Sequence, residues 1–274
     1  MKTFYSNHSS KNILALNIDI LSLCNFKCPY CYNIKKYSNL KRLMTISEIK
    51  CIINDINANQ NDVLFDIHIL GGEPFLHPKL STIIEMFSKC QNVRYIDIFT
   101  NGSIIKSLKR FVKTRLWISI HPECDFQKVD KLLKLNNVAE LTFMIHKDFN
   151  CEKYYEYSKK YSVAHTFIIS LNGKLHFKDL KLPNKGKYYI NNIAYSIDEV
   201  FLNHFNKFKD WKCLFSNINV DVNGNYGINC LQRKNKNIFA DHFLRTYKPK
   251  FMSCTLNECN SDCNLECYKY FEER

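Results

Sequence analysis

The sequence predicts an α/β fold: a partial (β/α)6 barrel of parallel strands, followed by a small cysteine-rich extension that contains a β-hairpin. Three observations predict it. Apolar runs of strand length alternate six times with segments of helical period between Ile13 and Leu171. Such alternation implies parallel strands joined by crossover helices, and six units fall short of the eight that close a full barrel. After Leu171 the alternation stops and cysteines crowd the remaining chain. The expected division is a barrel over residues 1–192 and an extension over residues 193–274.

Each element follows from its pattern. Ile13–Leu23 reads as the first strand and leads into a cysteine-rich loop. Thr45–Asn59 has helical period, with Thr45 or Ser47 as its cap. Val63–Leu70 is a strand that ends in Gly71-Gly72-Glu73-Pro74, and Leu80–Cys90 is helical. Val93–Phe99 is a strand that ends in Thr100-Asn101-Gly102, and Ile104–Lys113 reads as a helix. Arg115–Ile120 ends in His121-Pro122, and the helix Phe126–Leu135 follows. Val138–His146, the helix Cys151–Tyr161 and Val163–Leu171 complete the six units. The polar motifs sit at the carboxyl ends of strands, where such sheets carry their chemistry. Asn172–Asn192 is a polar connector and Ile197–Phe208 is helical. Ile218–Val222 and Tyr226–Cys230 flank Asn223-Gly224-Asn225, a strong hairpin signal.

Composition narrows the setting. With 274 residues, 46% hydrophobic and 14% aromatic, the chain can bury a sizeable core. It has no apolar run of about 18 residues. Asn17 and Asp19 interrupt the first apolar stretch, and no small-residue cleavage site follows, so a secretory signal is not expected. Thirteen cysteines, odd in number and unevenly spread, argue against a disulfide framework and for metal or cluster ligation in a reducing cytoplasm. The net charge of +13 has two readings: a bias toward Lys, Asn and Ile, or an anionic partner.

The sharpest motif is Cys24, Cys28 and Cys31, spaced C-x3-C-x2-C and followed by Tyr32. Three thiolates on a tight loop can hold three irons of a [4Fe–4S] cube and leave the fourth iron open. An open iron is a place for a substrate or cofactor to bind. The competing reading is a zinc site, for which no convincing fourth ligand lies nearby.

With Gly71–Pro74 and the strand order added, the chain resembles the radical S-adenosylmethionine (SAM) superfamily over about its first two thirds. The resemblance implies a cube with one open iron that binds SAM, cleaves it reductively and yields a 5′-deoxyadenosyl radical. It assigns Cys24, Cys28 and Cys31 to the cluster, and Gly71, Gly72 and Glu73 to the site of the methionine amino group. Pro74 would fix that turn. Asn101 and Ser119, at the ends of the third and fourth strands, match positions near the SAM ribose and carboxylate, though both residue types are ordinary at turns. Tyr30 matches an aromatic position near adenine, or packs in the core. His121, Glu123 and Cys124 follow the fourth strand. Cys124 is a candidate hydrogen-atom donor or a small apolar filler, and His121 or Glu123 a candidate acid or base.

The tail holds Cys213, Cys230, Cys254, Cys259, Cys263 and Cys267. It resembles a SPASM or twitch extension, which implies auxiliary [4Fe–4S] clusters. The last four cysteines are spaced x4, x3 and x3, and only the final interval fits the full SPASM pattern. One auxiliary cluster, on Cys213, Cys230 and two of the last four, is the leading expectation. Two incompletely ligated clusters, or a four-thiolate zinc site, are the alternatives.

The resemblance implies oxidation, cross-linking or epimerisation of a peptide, protein or small molecule, with reduced flavodoxin or ferredoxin as electron donor. Only 23 residues precede Cys24, too few for a fused leader-peptide recognition domain, which weakens without excluding a peptide substrate; a separate binding protein, or a sugar or nucleotide substrate, fits equally well. The cysteine-rich tail sets the chain apart from viperin-like dehydratases. Its final Glu272-Glu273-Arg274 sets it apart from molybdenum-cofactor cyclases. A non-catalytic iron–sulfur or zinc protein that binds RNA through its basic surface is the contrasting reading. A membrane partner is not expected.

Overall fold

The computed structural model describes residues 12–28, 31–37, 40–145, 157, 160, 164–169, 188–190, 193–195, 212–228, 231–253 and 271–272. Six strands lie side by side in chain order: β1 (Ile13–Asp19), β2 (Leu64–Leu70), β3 (Val93–Thr100), β4 (Thr114–Ile120), β5 (Val138–Ile145) and β6 (Ala164–Ile169). Each adjacent pair is parallel. The predicted partial barrel of parallel strands is therefore present, and among the described residues the sheet is not closed.

The sheet alternates two faces with period two. Leu14, Leu16, Ile18, Phe65, Ile67, Ile69, Ile96, Ile98, Leu116 and Ile118 are buried on one face. Helices cover that face because their own apolar stripes need burial. α1 (Tyr32–Tyr37) follows the cysteine loop, and α2 (Ile46–Asn57) buries Ile49, Ile52, Ile53 and Ile56. α3 (Leu80–Ser88) buries Leu80, Ile83, Ile84 and Phe87, and α4 (Phe126–Leu135) buries Val129 and Leu132. Thr45 caps α2 in a reciprocal box with Glu48, worth about 1 kcal/mol over an uncapped start. Asp125 caps α4 by accepting from the Gln127 N–H. Among the described residues no helix is long and apolar enough to cross a membrane.

One predicted helix is corrected. The chain from Asn101 to Lys113 is irregular, so Ile104–Lys113 is not a helix. Leu108 is buried, as the apolar spacing asks, but the backbone has found other partners. Asn136 Oδ1 accepts from the Leu108 N–H at 2.6 Å, and Asn136 Nδ2 donates to the Lys106 carbonyl at 3.0 Å. These bonds occupy groups that a helix would pair internally. The expected helices Cys151–Tyr161 and Ile197–Phe208 lie outside the described residues, apart from Tyr157 and Lys160.

The later strands begin with β7 (Tyr188–Ile190) and β8 (Ile193–Tyr195), an antiparallel pair within and after the expected connector. β9 (Lys212–Phe215) follows, and then the predicted hairpin, β10 (Asn217–Val220) and β11 (Asn225–Ile228). Gly224, at φ +83°, supplies its left-handed turn position. The hairpin does not stand apart. β10 pairs in parallel with β1, and β12 (Leu231–Asn237) continues the sheet beyond β11. Among the described residues the sheet order is β12-β11-β10-β1-β2-β3-β4-β5-β6. A short helix, α5 (Ile238–Asp241), leads from β12 toward β13 (Lys250–Ser253), which with β14 (Phe271–Glu272) flanks β9 in a separate antiparallel sheet.

His77 joins the β2–α3 connection to Met44. The Met44 carbonyl can only accept, so His77 Nε2 carries the proton and donates at 3.1 Å. The Lys79 N–H donates to Nδ1 at 3.1 Å. The ring is thus held neutral, and burial pushes its pKa down. As the pH falls below about 6.5 the unfolded chain takes up a proton that the folded chain refuses. This contribution to stability is present above that pH and is lost as the pH falls through the lowered folded value. The urea midpoint is expected to drop between about pH 8 and about pH 6, and to drop less in His77→Gln. An equal drop in both proteins would assign the loss to other groups.

Candidate cluster-binding site

The cysteine loop is held where it enters and where it leaves. On entry, Ile20–Leu23 runs between two neighbours. On one side the Met44 N–H donates to the Ile20 carbonyl (2.8 Å) and the Ser22 N–H to the Arg42 carbonyl (3.0 Å). On the other, the Gly72 N–H donates to the Leu21 carbonyl (2.9 Å) and the Glu73 N–H to the Leu23 carbonyl (2.8 Å). This approach requires glycine. A Cβ on Gly71 would stand 2.2 Å from the Leu21 carbonyl oxygen, and one on Gly72 1.8 Å from that of Leu23. Gly71 also has φ +129°. On exit, buried Asp19 accepts from Tyr37 Oη (2.6 Å) and Lys36 Nζ (3.1 Å), tying α1 to the end of β1. Asp19 was missed by sequence reasoning, although a carboxylate ending an apolar strand is a readable signal.

Within the loop the Cys31 N–H donates to the Cys28 carbonyl at 3.0 Å. Cys24 is exposed, Cys28 buried and Cys31 between the two. Asn101 Nδ2 lies 3.7 Å from Cys24 Sγ and donates to Asn25 Oδ1 at 3.0 Å. Asn25 in turn donates to Ser103 Oγ at 2.8 Å. Cys28 Sγ lies 3.7 Å from His121 Nδ1. The loop therefore lies across the carboxyl ends of β3 and β4. The Phe26 N–H points to Cys24 Sγ at 3.4 Å.

Glu73 is fully buried, and its carboxylate is fully used. Oε1 accepts from the Phe75 N–H (3.0 Å) and Thr100 Oγ1 (2.8 Å), and Oε2 from the Asn101 N–H (2.8 Å). Burial raises its pKa while these donors, led by Asn101, pull it back. Glu73 thus fastens the end of β2 to the end of β3. Pro74 starts the short 3-10 turn Pro74–Leu76, which Glu73 caps.

The other expected residues are placed as follows. Ser119 is partly exposed near the end of β4, in register with Thr142. His121 packs edge-on against Phe26, and burial lowers its pKa to about 4. Cys124 Sγ faces the Asn101 carbonyl at 3.9 Å, and burial pushes its thiol up to about 12. Glu123 is exposed on the turn between them. Tyr30, Cys230, Cys254, Cys259, Cys263 and Cys267 lie outside the described residues. Cys213 is on β9, opposite Met252 of β13 and Phe271 of β14.

Among the described residues no three Cys, His, Asp or Glu side chains converge on a single ion. In a [4Fe–4S] cube each thiolate binds a separate iron. The donor set of Cys24, Cys28 and Cys31 on one pinned loop suits the cube.

Sequence reasoning also missed a polar row on the sheet face opposite the helices. Asn17 Nδ2 donates to Asn219 Oδ1 at 2.7 Å and to Asn217 Oδ1, while Asn17 Oδ1 faces His68 Nδ1 at 2.6 Å. His68 Nε2 lies 3.6 Å from Asp97 Oδ2, and Arg115 binds Asp97 through two 2.7 Å bonds. Beside the row, Phe99 stacks on Trp117 at 5.3 Å, and the Trp117 Nε1 donor is buried without a partner. A cavity of about 250 Å³ at Leu108, Thr114 and Asn136 lies at the amino-terminal end of β4, away from the cysteine loop.

Residues 18–147 match the family model described as Radical SAM superfamily. Over 119 residues the chain is 35% identical to the putative glycyl-radical enzyme activating enzyme MJ1227 of Methanocaldococcus jannaschii, covering 43% of this chain and 47% of that protein. It is 28% identical over 145 residues to a GTP 3′,8-cyclase of Clostridium acetobutylicum, covering 52% of this chain and 44% of that protein. The matched stretch thus spans about half the length of these curated relatives. The structure of histidine-tagged anSMEcpe with bound AdoMet aligns over 61% of this chain and 55% of that chain, at 20% identity and a TM-score of 0.48.

Proposed function

Because residues 18–147 match the Radical SAM superfamily model, we propose that the chain cleaves SAM reductively and uses the 5′-deoxyadenosyl radical to abstract hydrogen from a peptide, protein or small-molecule substrate. Cys24, Cys28 and Cys31 hold the [4Fe–4S] cluster in this reading. When bound, the cluster supplies the electron and an iron free of thiolate. Reduced flavodoxin or ferredoxin is the proposed electron donor. The observation that carries the reading is the fit of Gly71–Glu73 against Leu21–Leu23, which lays the cysteine loop across the strand ends. Asn101 holds the loop at Asn25, and Glu73 holds Asn101. Ser119 and Tyr30 contact SAM in this reading. His121, Glu123 and Cys124 are the proposed proton- or hydrogen-transfer groups.

Residues 193–274 serve as an extension that holds one auxiliary cluster, with Cys213 among its ligands. The register supports this use. Cys213 stands opposite Met252, two residues before Cys254, and opposite Phe271, four residues after Cys267.

A sugar or nucleotide substrate is the second reading, favoured by the amide, imidazole and aromatic row at Asn17, His68, Phe99 and Trp117. In that row Arg115 is already taken up by Asp97. This favours hydroxyl groups over phosphates as its ligands.

The test is anaerobic reconstitution of the wild type and of a Cys24→Ala, Cys28→Ala, Cys31→Ala variant. The wild type is expected to form 5′-deoxyadenosine from SAM under dithionite, and the variant none. The variant is expected to bind about four fewer irons per chain and to keep about four on the tail. A reduced, iron-loaded wild type that leaves SAM intact sinks the reading. Zinc in place of the residual iron would make the tail structural.

A further inference from the structure

Asn33 lies in the first turn of α1, two residues after Cys31. Its side chain is 8% exposed. Nδ2 donates to the Gly71 carbonyl at 2.8 Å. Oδ1 is buried and meets no donor. Exchanging the two ends of the amide is no remedy, because it would set Oδ1 against the Gly71 carbonyl, acceptor against acceptor. A buried acceptor left unpaired is costly, and native proteins rarely keep one without a reason.

The surroundings limit what can supply the missing donor. Gly71 and Gly72 are pressed against Leu21 and Leu23, with no space for a side chain between them. Lys36, the described cation on the same helix, is turned to Asp19 at 3.1 Å. The unpaired acceptor therefore lies beside the Gly71 carbonyl, in the helix turn that follows a loop whose cysteines suit a cube. Two adjacent acceptors suit an amine, which can donate to both.

We propose that Asn33 Oδ1 accepts a hydrogen bond from the amino group of SAM, beside the Gly71 carbonyl, making Asn33 a binding residue for the methionine end. The assignment rests on the radical SAM reading of this loop. A neutral amide suits the task. It adds an acceptor without a further carboxylate near the thiolates, and its own N–H holds the Gly71 carbonyl in place.

The test compares two ligands on reconstituted wild type and Asn33→Leu: SAM, and the analogue in which a 2-oxo group replaces the amino group. Equilibrium dialysis gives both affinities, and iron content reports cluster loading. The wild-type preference for SAM over the analogue is expected to fall about 10- to 100-fold in Asn33→Leu. The variant should bind the analogue as well as, or better than, the wild type, because an acceptor facing its carbonyl oxygen is gone. An unchanged preference overturns the proposal, and so does an equal loss for both ligands, which marks a structural role. If Asn33→Leu fails to load iron, Asn33→Ser is read by the same ratio. Failure of the wild type to bind SAM would instead strike the reading of the loop itself.

Discussion

Replacing Gly72 with alanine is expected to abolish loading of the cysteine-loop cluster and, with it, SAM cleavage. The added Cβ would stand 1.8 Å from the Leu23 carbonyl oxygen, 2.2 Å from the Leu23 carbonyl carbon and 2.8 Å from the Cys24 nitrogen. All three are backbone atoms, so no rotamer relieves the clash. The end of β2 must separate from the chain that enters the loop. That breaks the bonds from Gly72 N to the Leu21 carbonyl and from Glu73 N to the Leu23 carbonyl. Two such bonds are worth about 2 kcal/mol together, and Cys24 moves with them. Iron after reconstitution should fall by about four per chain, and 5′-deoxyadenosine formation by more than about 100-fold, roughly 2.7 kcal/mol. Gly102→Ala is the control. Its nearest neighbour is a side-chain methyl, Ile118 Cγ2 at 3.0 Å, rather than backbone, and Gly102 itself sits at φ +71°, so the substitution should cost about 1–2 kcal/mol and keep its iron. Full iron in Gly72→Ala would show that this contact does not hold the loop.

Arg245→Ala is expected to destabilise the protein by about 3 kcal/mol, and more than Asp55→Ala does. Asp55 is 1% exposed in α2, and its Oδ1 accepts from Arg245 Nε at 2.7 Å and from His242 Nδ1 at 3.1 Å. Oδ2 is buried without a partner. Removing Arg245 leaves the buried carboxylate with the His242 contact alone, whereas removing Asp55 returns Arg245, 43% exposed, to water. Asp55→Ala should therefore cost only about 1–2 kcal/mol. The double variant should resemble Asp55→Ala alone, because the stranded charge is then gone. The pair fastens the segment after α5 to the end of α2. Asn59 and Asn61 reinforce it through the carbonyls of Leu244, Tyr247 and Thr246. Urea midpoints measure the order, and equal losses in the two single variants would remove the stranded-charge argument.

The legible part of this protein is the part encoded locally. Strand ends at Leu70 and Ile120 and the helix Phe126–Leu135 agree with the sequence pattern, because their apolar spacing and flanking caps act over a few residues. Cys24, Cys28 and Cys31 were legible as a spacing, and Gly71–Pro74 as a motif. The helix expected over Ile104–Lys113 failed because Asn136, distant in sequence, takes over its backbone groups. Asn33 carried no signal at all. An asparagine after a cysteine looks ordinary until burial leaves its oxygen unpaired.

Sequence by itself determined the alternation of strands and helices, the cysteine loop, the glycines beside it and the hairpin in the tail. Only the tertiary structure decided that the hairpin lies against β1, joining Asn217 and Asn219 to Asn17 and on to His68, Asp97 and Arg115. It also decided that Glu73 spends its charge on Thr100 and Asn101. The physical reason is the range of the forces involved. Periodicity and capping are settled between near neighbours in the chain. A buried polar group takes whichever partner the sheet order brings to it, however far away in sequence.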